Sequence, residues 1–177
     1  MRIISGTHKG RRILVPKGLP VRPTTDLCKE ALFNILQHHY HLCDIVVLDL
    51  FAGTGNITFE FASRGAKQVL SVDAEFKCIQ FIQKISKEFE FSIDTIKMDV
   101  FNFLQKASGN YDIIFADPPY DLDLNKFEQL ASLIFENNLL AEDGMLIIEH
   151  SKHTNLEHVE NFSFSRNYGG SVFSFFE

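Results

Sequence analysis

The chain has 177 residues, of which 45% are hydrophobic, the size and apolar content of one compact domain with its own core. Neither an uninterrupted apolar run of about 18 residues nor a signal-like N-terminus is present, so a membrane or secreted protein is not expected. Cys28, Cys43 and Cys78 have no Cys-x-x-Cys spacing and are expected to be reduced core thiols. The sequence therefore predicts a cytoplasmic protein with one domain, 1–177.

Charge is distributed unevenly along the chain. The formal net charge is −6, yet residues 1–25 carry +6 and contain no acid, which leaves −12 on the remaining residues. The positive side chains are Arg2, Lys9, Arg11, Arg12, Lys17 and Arg22. A local basic patch can bind a polyanion although the whole protein is acidic. The segment predicts a nucleic-acid docking arm, and the alternative is a chance cluster of solvated side chains.

The first 40 residues are predicted to form an extension ahead of a core at 41–177. Residues 1–16 are typical of a small β-hairpin, with Arg2–Ile4 and Arg12–Val15 on either side of a turn. Thr24 or Thr25 is expected to cap a helix. Its apolar residues recur at helical spacing at Leu27, Ala31, Leu32, Ile35 and Leu36.

Apolar strands alternate with helical stretches after Asp44. Strands are predicted near 45–50, 68–73, 93–98, 111–116 and 144–149, and helices near 55–64, 75–90, 100–107 and 125–138. This alternation indicates an α/β, Rossmann-like fold with a mostly parallel sheet and helices on both faces. The segments 162–168 and 171–176 flank Gly169-Gly170 and predict an antiparallel C-terminal hairpin.

A glycine loop follows the first strand of the core. Residues 45–50 lead into Phe51-Ala-Gly-Thr-Gly55 and then a helix, an arrangement that lets a ligand approach the backbone. Thr58 replaces the third small residue of the dinucleotide fingerprint. Asp49, just before the loop, would repel a pyrophosphate but attract an ammonium group. The loop, with Phe51, Ala52, Gly53 and Gly55, therefore suits S-adenosylmethionine better than NAD, although a tight turn without a ligand is the alternative.

Two further acids follow the next strands. Asp73 ends the second strand, from which a carboxylate can accept both ribose hydroxyls, and Asp99 follows the third, within reach of an adenine edge. Each acid alone is also explained as a helix cap. Because the carboxyl ends of parallel strands meet at one edge, Asp49, Asp73 and Asp99 together predict one nucleoside-sized site.

The fourth strand ends in Asp117-Pro118-Pro119-Tyr120. Two prolines remove two amide donors and fix the direction of the carbonyl groups. If the Asp117 carboxylate and the Pro118 carbonyl accept the two N–H bonds of an exocyclic base amine, its nitrogen is drawn towards tetrahedral geometry and becomes a better nucleophile. Such a prearranged contact is typically worth about 3 to 4 kcal/mol. Tyr120 is expected to stack on the extruded base, and a purely structural turn is the alternative.

These motifs resemble the RsmD family of small-subunit rRNA guanine-N2 methyltransferases. The resemblance rests on Met1-Arg-Ile-Ile-Ser-Gly6 with Lys9-Gly-Arg11, Arg22-Pro-Thr-Thr-Asp26, Glu30 to Leu36, Asp49 to Gly55, Ser63-Arg-Gly-Ala66 and Asp117 to Tyr120. It implies a class I methyltransferase that uses S-adenosylmethionine, with Asp117 also beside the cofactor. It implies a guanine in the helix 31 loop of 16S rRNA, within the small subunit or its assembly intermediate, as the substrate. Arg2, Lys9, Arg11, Arg12 and Arg22 are then the expected RNA contacts, on a chain expected to act as a monomer.

Two other functions share parts of this pattern. A DNA adenine-N6 methyltransferase would use the same loop and catalytic turn, but it would normally need a target-recognition domain for which the chain has no room. A non-catalytic RNA-binding assembly factor would not need an intact Asp117 to Tyr120 turn. No metal is expected, and His38, His39 and His41 are interpreted as a solvated helix end. For Glu149 and His150, the sequence allows either contact with the substrate or polar packing within the protein.

Overall fold

The computed structural model describes residues 1–16, 18–19 and 25–177. Within these residues, five helices follow one another as α1 Asp26–His39, α2 Asn56–Ser63, α3 Phe76–Glu88, α4 Val100–Leu104 and α5 Leu124–Glu136. The same described residues contain seven strands, β1 Val46–Leu50, β2 Gln68–Asp73, β3 Ile93–Lys97, β4 Tyr111–Ala116, β5 Leu140–Ser151, β6 Phe162–Tyr168 and β7 Ser171–Phe176. Within the described part of the chain, no helix is long and apolar enough to cross a membrane.

The strands form one sheet in the order β3-β2-β1-β4-β5-β7-β6. β1 to β5 pair in parallel, whereas β7 is antiparallel to both β5 and β6. The predicted class I methyltransferase fold, with a terminal antiparallel hairpin, is confirmed. The strand order reverses between β1 and β4, and ligands of open parallel sheets bind beside that point.

Alternating side chains of the strands build a core on each face of the sheet. Leu48 of β1 packs with α4 and α5 on one face, while Val47 packs with α1 and α2 on the other. Both faces are therefore covered by helices, as a parallel sheet requires. Asp49 shares the period-two phase of Val47, so the strand directs this carboxyl group towards α2.

The first helix begins where the sequence places a cap. The Oγ1 atom of Thr25 accepts a hydrogen bond of 3.2 Å from the backbone amide of Cys28. This bond satisfies one of the amides that have no partner within the helix. The other predicted elements lie close to their observed positions, but α4 ends at Leu104 and β5 already begins at Leu140.

The predicted N-terminal hairpin is confirmed as a short antiparallel pairing around a bridge between Arg2 and Arg12.

The expectation that all three cysteines are buried was wrong. Cys43 is exposed, since it lies in the segment that joins α1 to β1 rather than in the core. Cys28 and Cys78 are buried and all three thiols are free.

Candidate active site

A cavity of about 950 Å³ opens beside the carboxyl ends of the parallel strands, at the upper end of the about 300–1,000 Å³ usual for small-molecule sites. Its lining combines the start of α1, the loop after β1, the ends of β2 and β3, the turn after β4 and the β6–β7 turn. The structure brings nearly all predicted cofactor and catalytic residues to this cavity: Asp49, Phe51, Ala52, Gly53, Asp73, Asp99, Asp117, Pro118, Pro119 and Tyr120.

The sequence predicted that Gly55 borders the ligand, but the structure places it elsewhere. It is outside the cavity lining and precedes α2 in a left-handed conformation, with φ of 74°. A Cβ atom at this position would lie 2.9 Å from side-chain atoms of Phe59 and Ile82. Gly55 therefore lets the loop pack tightly against its own helix and α3, and it shapes the cavity indirectly.

Asp49 is a buried carboxyl group in the cavity wall, with only 2% of its surface exposed. The hydroxyl of Thr58 donates a hydrogen bond to Asp49 and is itself 2.8 Å from the hydroxyl of Ser71. Thr58 thus occupies the third position of the loop motif as a hydrogen-bonding residue. Burial raises the pKa of Asp49 to about 7, although the Thr58 bond favours the ionised form. A cation bound beside Asp49 would favour that ionised form further.

Asp73, at the end of β2, is hydrogen-bonded to the glycine loop that follows β1. Its Oδ2 accepts a hydrogen bond of 2.7 Å from the backbone amide of Gly53, and its Oδ1 accepts another of 2.7 Å from the amide of Glu75. A carboxylate oxygen can accept two hydrogen bonds. Asp73 can therefore hold the glycine loop and still accept hydrogen bonds from ligand hydroxyls in the cavity.

Asp99 is a helix cap as well as a lining residue. Its Oδ1 accepts a hydrogen bond of 3.0 Å from the amide of Asn102 at the start of α4. The rings of Phe51 and Phe101 meet edge to face, with centroids 6.3 Å apart, in the same part of the lining. An aromatic pair beside a carboxylate is suited to a flat heterocycle that carries N–H donors.

The turn after β4 begins beside the glycine loop. The amide of Asp117 donates to the carbonyl of Leu50, at 3.3 Å, so the ends of β4 and β1 are held together. Pro118 is buried and Asp117 half-buried, whereas Tyr120 is 39% exposed. The Tyr120 hydroxyl lies 3.0 Å from the hydroxyl of Ser171 in the β6–β7 turn. The carboxylate, the rigid carbonyls and the aromatic ring all border one cavity.

The cavity lining is acidic. Among its described residues there is no Lys, Arg or His, while carboxyl groups are contributed by Asp49, Asp73, Glu75, Asp99, Asp117 and Glu149. These negatively charged hydrogen-bond acceptors would repel a diphosphate and fit a cationic ligand that also has hydroxyl and N–H groups. S-adenosylmethionine, with its sulfonium, ammonium and ribose, has that chemistry. In the described residues no group of His, Cys, Asp and Glu could hold a metal ion.

Glu149 and His150, neighbours near the end of β5, lie in different surroundings. Ala116, the last residue of β4, pairs with Ile148, so Asp117 and Glu149 directly follow a matched pair of residues on neighbouring strands. Glu149 is buried and lines the cavity. His150 is outside the cavity lining, with its ring nitrogens 2.8 Å from the Ser174 hydroxyl and 2.9 Å from the Ser151 carbonyl, and burial lowers its pKa. Polar packing thus accounts for His150.

Glu60, which no local pattern in the sequence singled out, anchors the N-terminal arm, residues 1–16, to α2. This fully buried carboxylate accepts hydrogen bonds from the amides of Ile4 at 2.9 Å and Ser5 at 3.0 Å. It also pairs with Arg64 at 2.8 Å and with buried Lys29 at 3.5 Å. Since α2 begins at the glycine loop, Glu60 connects the arm to the cavity wall.

Of the predicted RNA contacts, Arg2, Lys9, Arg11 and Arg12 lie along this anchored arm. Lys9, Arg11 and Arg12 are exposed. Arg2 is 52% exposed and pairs with Asp26 at 2.9 Å, beside lining residues Thr25 and Leu27. The amide of Thr7 donates to the Ser63 carbonyl at the far end of α2, so the arm extends along the helix from the cavity. Arg22 lies outside the described residues.

Comparisons with known proteins agree on one family. The family model described as Conserved hypothetical protein 95 matches residues 1–177. YlbH of Bacillus subtilis is 36% identical over 161 residues, which cover 88% of this chain and 85% of that protein. The Ribosomal RNA small subunit methyltransferase D of Haemophilus influenzae is 33% identical over 168 residues, covering 92% and 85% of the two chains.

A solved structure gives the same result. That of yhhF from Escherichia coli superposes with a TM-score of 0.86 at 26% identity, over 99% of this chain and 96% of that one. The family match spans the arm, the glycine loop and the Asp117 turn together. The chain therefore belongs to the Conserved hypothetical protein 95 family, which includes the Ribosomal RNA small subunit methyltransferases D, as the RsmD-like motifs predicted.

Proposed function

We propose that this protein transfers a methyl group from S-adenosylmethionine to the exocyclic N2 amine of a guanine in 16S rRNA, within the small ribosomal subunit or its assembly intermediate. The observation that carries the proposal is the meeting of the Asp117 turn with the glycine loop at one acidic cavity. The names of the family members supply the RNA class.

The cofactor would be held by residues from three strand ends. S-adenosylmethionine supplies an electrophilic methyl group on a sulfonium. Asp49 provides the negative charge for its ammonium group, and Asp73 accepts hydrogen bonds from its ribose. Asp99, which lines the cavity together with Phe51 and Phe101, accepts from its adenine amine. Ala52 and Gly53 border the cavity without bulky side chains, and Gly55 keeps the loop close to α2.

The catalytic role falls to the turn after β4. The amine of guanine is a weak nucleophile because its lone pair is delocalised into the ring. The Asp117 carboxylate and the Pro118 carbonyl accept its N–H bonds and stabilise the positive charge that develops on nitrogen. Pro118 and Pro119 fix these acceptors before the reaction, so little reorganisation accompanies the transition state. Tyr120 stacks on the extruded base.

The arm provides the contact with RNA outside the cavity. Lys9, Arg11 and Arg12 are exposed on it and would bind phosphates, which gives affinity without sequence specificity. Arg2 is engaged with Asp26, so it would contribute less than these three residues. The acidic cavity and the basic arm thus receive different parts of one RNA substrate, the base and the backbone.

The proposal is tested by tritiated methyl transfer from S-adenosylmethionine. Small subunits from cells that lack this protein, free 16S rRNA and DNA are incubated in parallel with the wild-type enzyme. Incorporation into subunits or their rRNA, absent with Asp117→Ala, is expected. Transfer to DNA alone would support the adenine-N6 alternative, and binding to subunits without transfer would support the assembly factor.

A further inference from the structure

The turn between β6 and β7, residues Tyr168–Ser171, is part of the cavity wall. Two contacts hold it there. The Ser171 hydroxyl lies 3.0 Å from the Tyr120 hydroxyl, and the thiol of Cys28 donates to the carbonyl of Tyr168 at 3.7 Å. The C-terminal hairpin is therefore held both to the turn after β4 and to the first turn of α1.

The two glycines of this turn differ in what the backbone requires. Gly169 has φ of 66°, a conformation that favours glycine at the first central position of a two-residue hairpin. Gly170 is not among the glycines with positive φ, so its backbone would accept an L side chain. A Cβ atom on Gly170 would also meet no described heavy atom within 4 Å. Folding alone thus gives no reason for glycine at position 170.

The cavity that Gly170 lines is suited to a flat, partly apolar ligand. Leu27, 70% exposed, and Tyr120, 39% exposed, line the cavity although both are large and apolar. Tyr168 lines it as well. Exposed aromatic and apolar faces around an open space are typical of platforms on which bases stack.

We propose that the β6–β7 turn forms the wall against which the extruded purine base is seated, with Ser171 as the positioning residue for Tyr120. This inference rests on the proposed function and assigns the base to one side of the cavity. Gly170 leaves the room that the base occupies. The cofactor is held by Asp49, Asp73 and Asp99 on other strands, so changes in this turn affect the RNA substrate and spare the cofactor.

Gly170→Val tests whether the base occupies the space beside Gly170, and Asn167→Val is the control. Asn167 is an exposed residue of the same hairpin and is outside the cavity lining. Gly170→Val is expected to raise the KM for the rRNA substrate by at least about tenfold, because misplacing a reactant by even about 1 Å is costly. Its cofactor Kd, measured by calorimetry, should remain within about twofold of wild type, and Asn167→Val should match wild type in both.

A double-mutant cycle tests the hydrogen bond between Ser171 and Tyr120. Ser171→Ala and Tyr120→Phe each remove this bond and should raise the KM by about three- to tenfold while kcat is largely kept. The double variant should be no worse than either single one, because the same interaction is lost. Wild-type KM in Gly170→Val, or additive effects in the cycle, would overturn the inference. Absence of transfer by the wild-type enzyme would instead refute the proposed function.

Discussion

The backbone amide of Gly53 donates a hydrogen bond of 2.7 Å to the carboxylate of Asp73. One acid thereby supports the glycine loop and borders the space that the ribose would occupy. Asp73→Ala should weaken cofactor binding by about 1–3 kcal/mol, since polar groups are left without a partner. Calorimetry would measure this loss. Asp94→Ala, which removes an exposed acid of neighbouring β3, should leave the affinity unchanged, and equal affinity in both variants would remove Asp73 from the site.

Asp117→Ala should abolish turnover while the cofactor Kd stays close to wild type. The hydrogen bonds of this carboxylate to the amine strengthen as charge develops, so they stabilise the transition state more than the bound substrate. Asp117→Asn keeps one acceptor oxygen and should be intermediate. Single-turnover rates and thermal unfolding of each variant separate catalysis from folding. A rate above about a tenth of wild type for Asp117→Ala would contradict the stabilisation argued for this residue.

The raised pKa of Asp49, about 7, predicts a pH dependence of unfolding. The folded protein holds this proton more firmly than the unfolded chain, whose carboxyl titrates near 4. The stabilisation is therefore present at low pH and is lost as the pH rises towards 7. Asp49→Asn has no such titration, so without cofactor it should gain stability relative to wild type between pH 5 and pH 8. Denaturant unfolding at both pH values measures the difference, and parallel curves would show that Asp49 is not perturbed.

Cofactor affinity should show the opposite trend in the wild type. A cationic ligand prefers ionised Asp49, so binding should strengthen as the pH rises through about 7. Asp49→Asn should bind more weakly and lose this pH dependence. Calorimetry from about pH 5.5 to about pH 7.5 covers the rise expected from the shifted carboxyl group and stays below the pH at which an α-amino group loses its proton. A wild-type affinity that falls over this range would contradict the role given to Asp49.

Replacing Lys9, Arg11 and Arg12 by Glu should raise the KM for the ribosomal substrate and leave cofactor affinity unchanged. Each lost phosphate contact should flatten the dependence of log affinity on log salt concentration by about 0.7 to 0.9. The same salt dependence is measured for Arg22→Ala. A flatter dependence indicates that Arg22 contacts a phosphate. An unaltered dependence with lower turnover indicates that Arg22 supports the active site. Wild-type kinetics of the triple variant at every salt concentration would make the charge asymmetry incidental.

Glu60→Gln should release the arm. Lys29 and Arg64 would lose their buried partner, and breaking a buried ion pair typically costs about 3–5 kcal/mol. Hydrogen exchange should accelerate at the amides of Ile4 and Ser5, which donate to Glu60. The KM for RNA should rise more than the Kd for the cofactor. Glu88→Gln, at an exposed acid of α3, serves as the control, and protected Ile4 and Ser5 amides in Glu60→Gln would show that the arm is held by other contacts.

Local patterns in the sequence predicted most of the fold. Short stretches of sequence determine the alternation of apolar strands and helices, the Thr25 cap and the glycine turn before β7. The strand ends also predicted which acids meet, because parallel strands bring their carboxyl ends to one edge. For the same reason the cavity lining could be anticipated without knowledge of the packing.

Contacts between distant residues could not be predicted in this way. Glu60 meets Ser5 across 55 positions and Tyr120 meets Ser171 across 51, and no local periodicity encodes such pairs. Asp99 shows a further limit: the sequence allowed a cap or a ligand, and the structure makes it a cap that also borders the cavity.

The most direct test of the account is the identity of the methylated nucleoside. Small subunits from cells lacking this protein are methylated by the wild-type enzyme, their 16S rRNA is digested to nucleosides, and the products are identified by mass spectrometry. N2-methylguanosine is expected in the wild-type reaction and none with Asp117→Ala. N6-methyladenosine, or a methylated product that persists in Asp117→Ala, would contradict it.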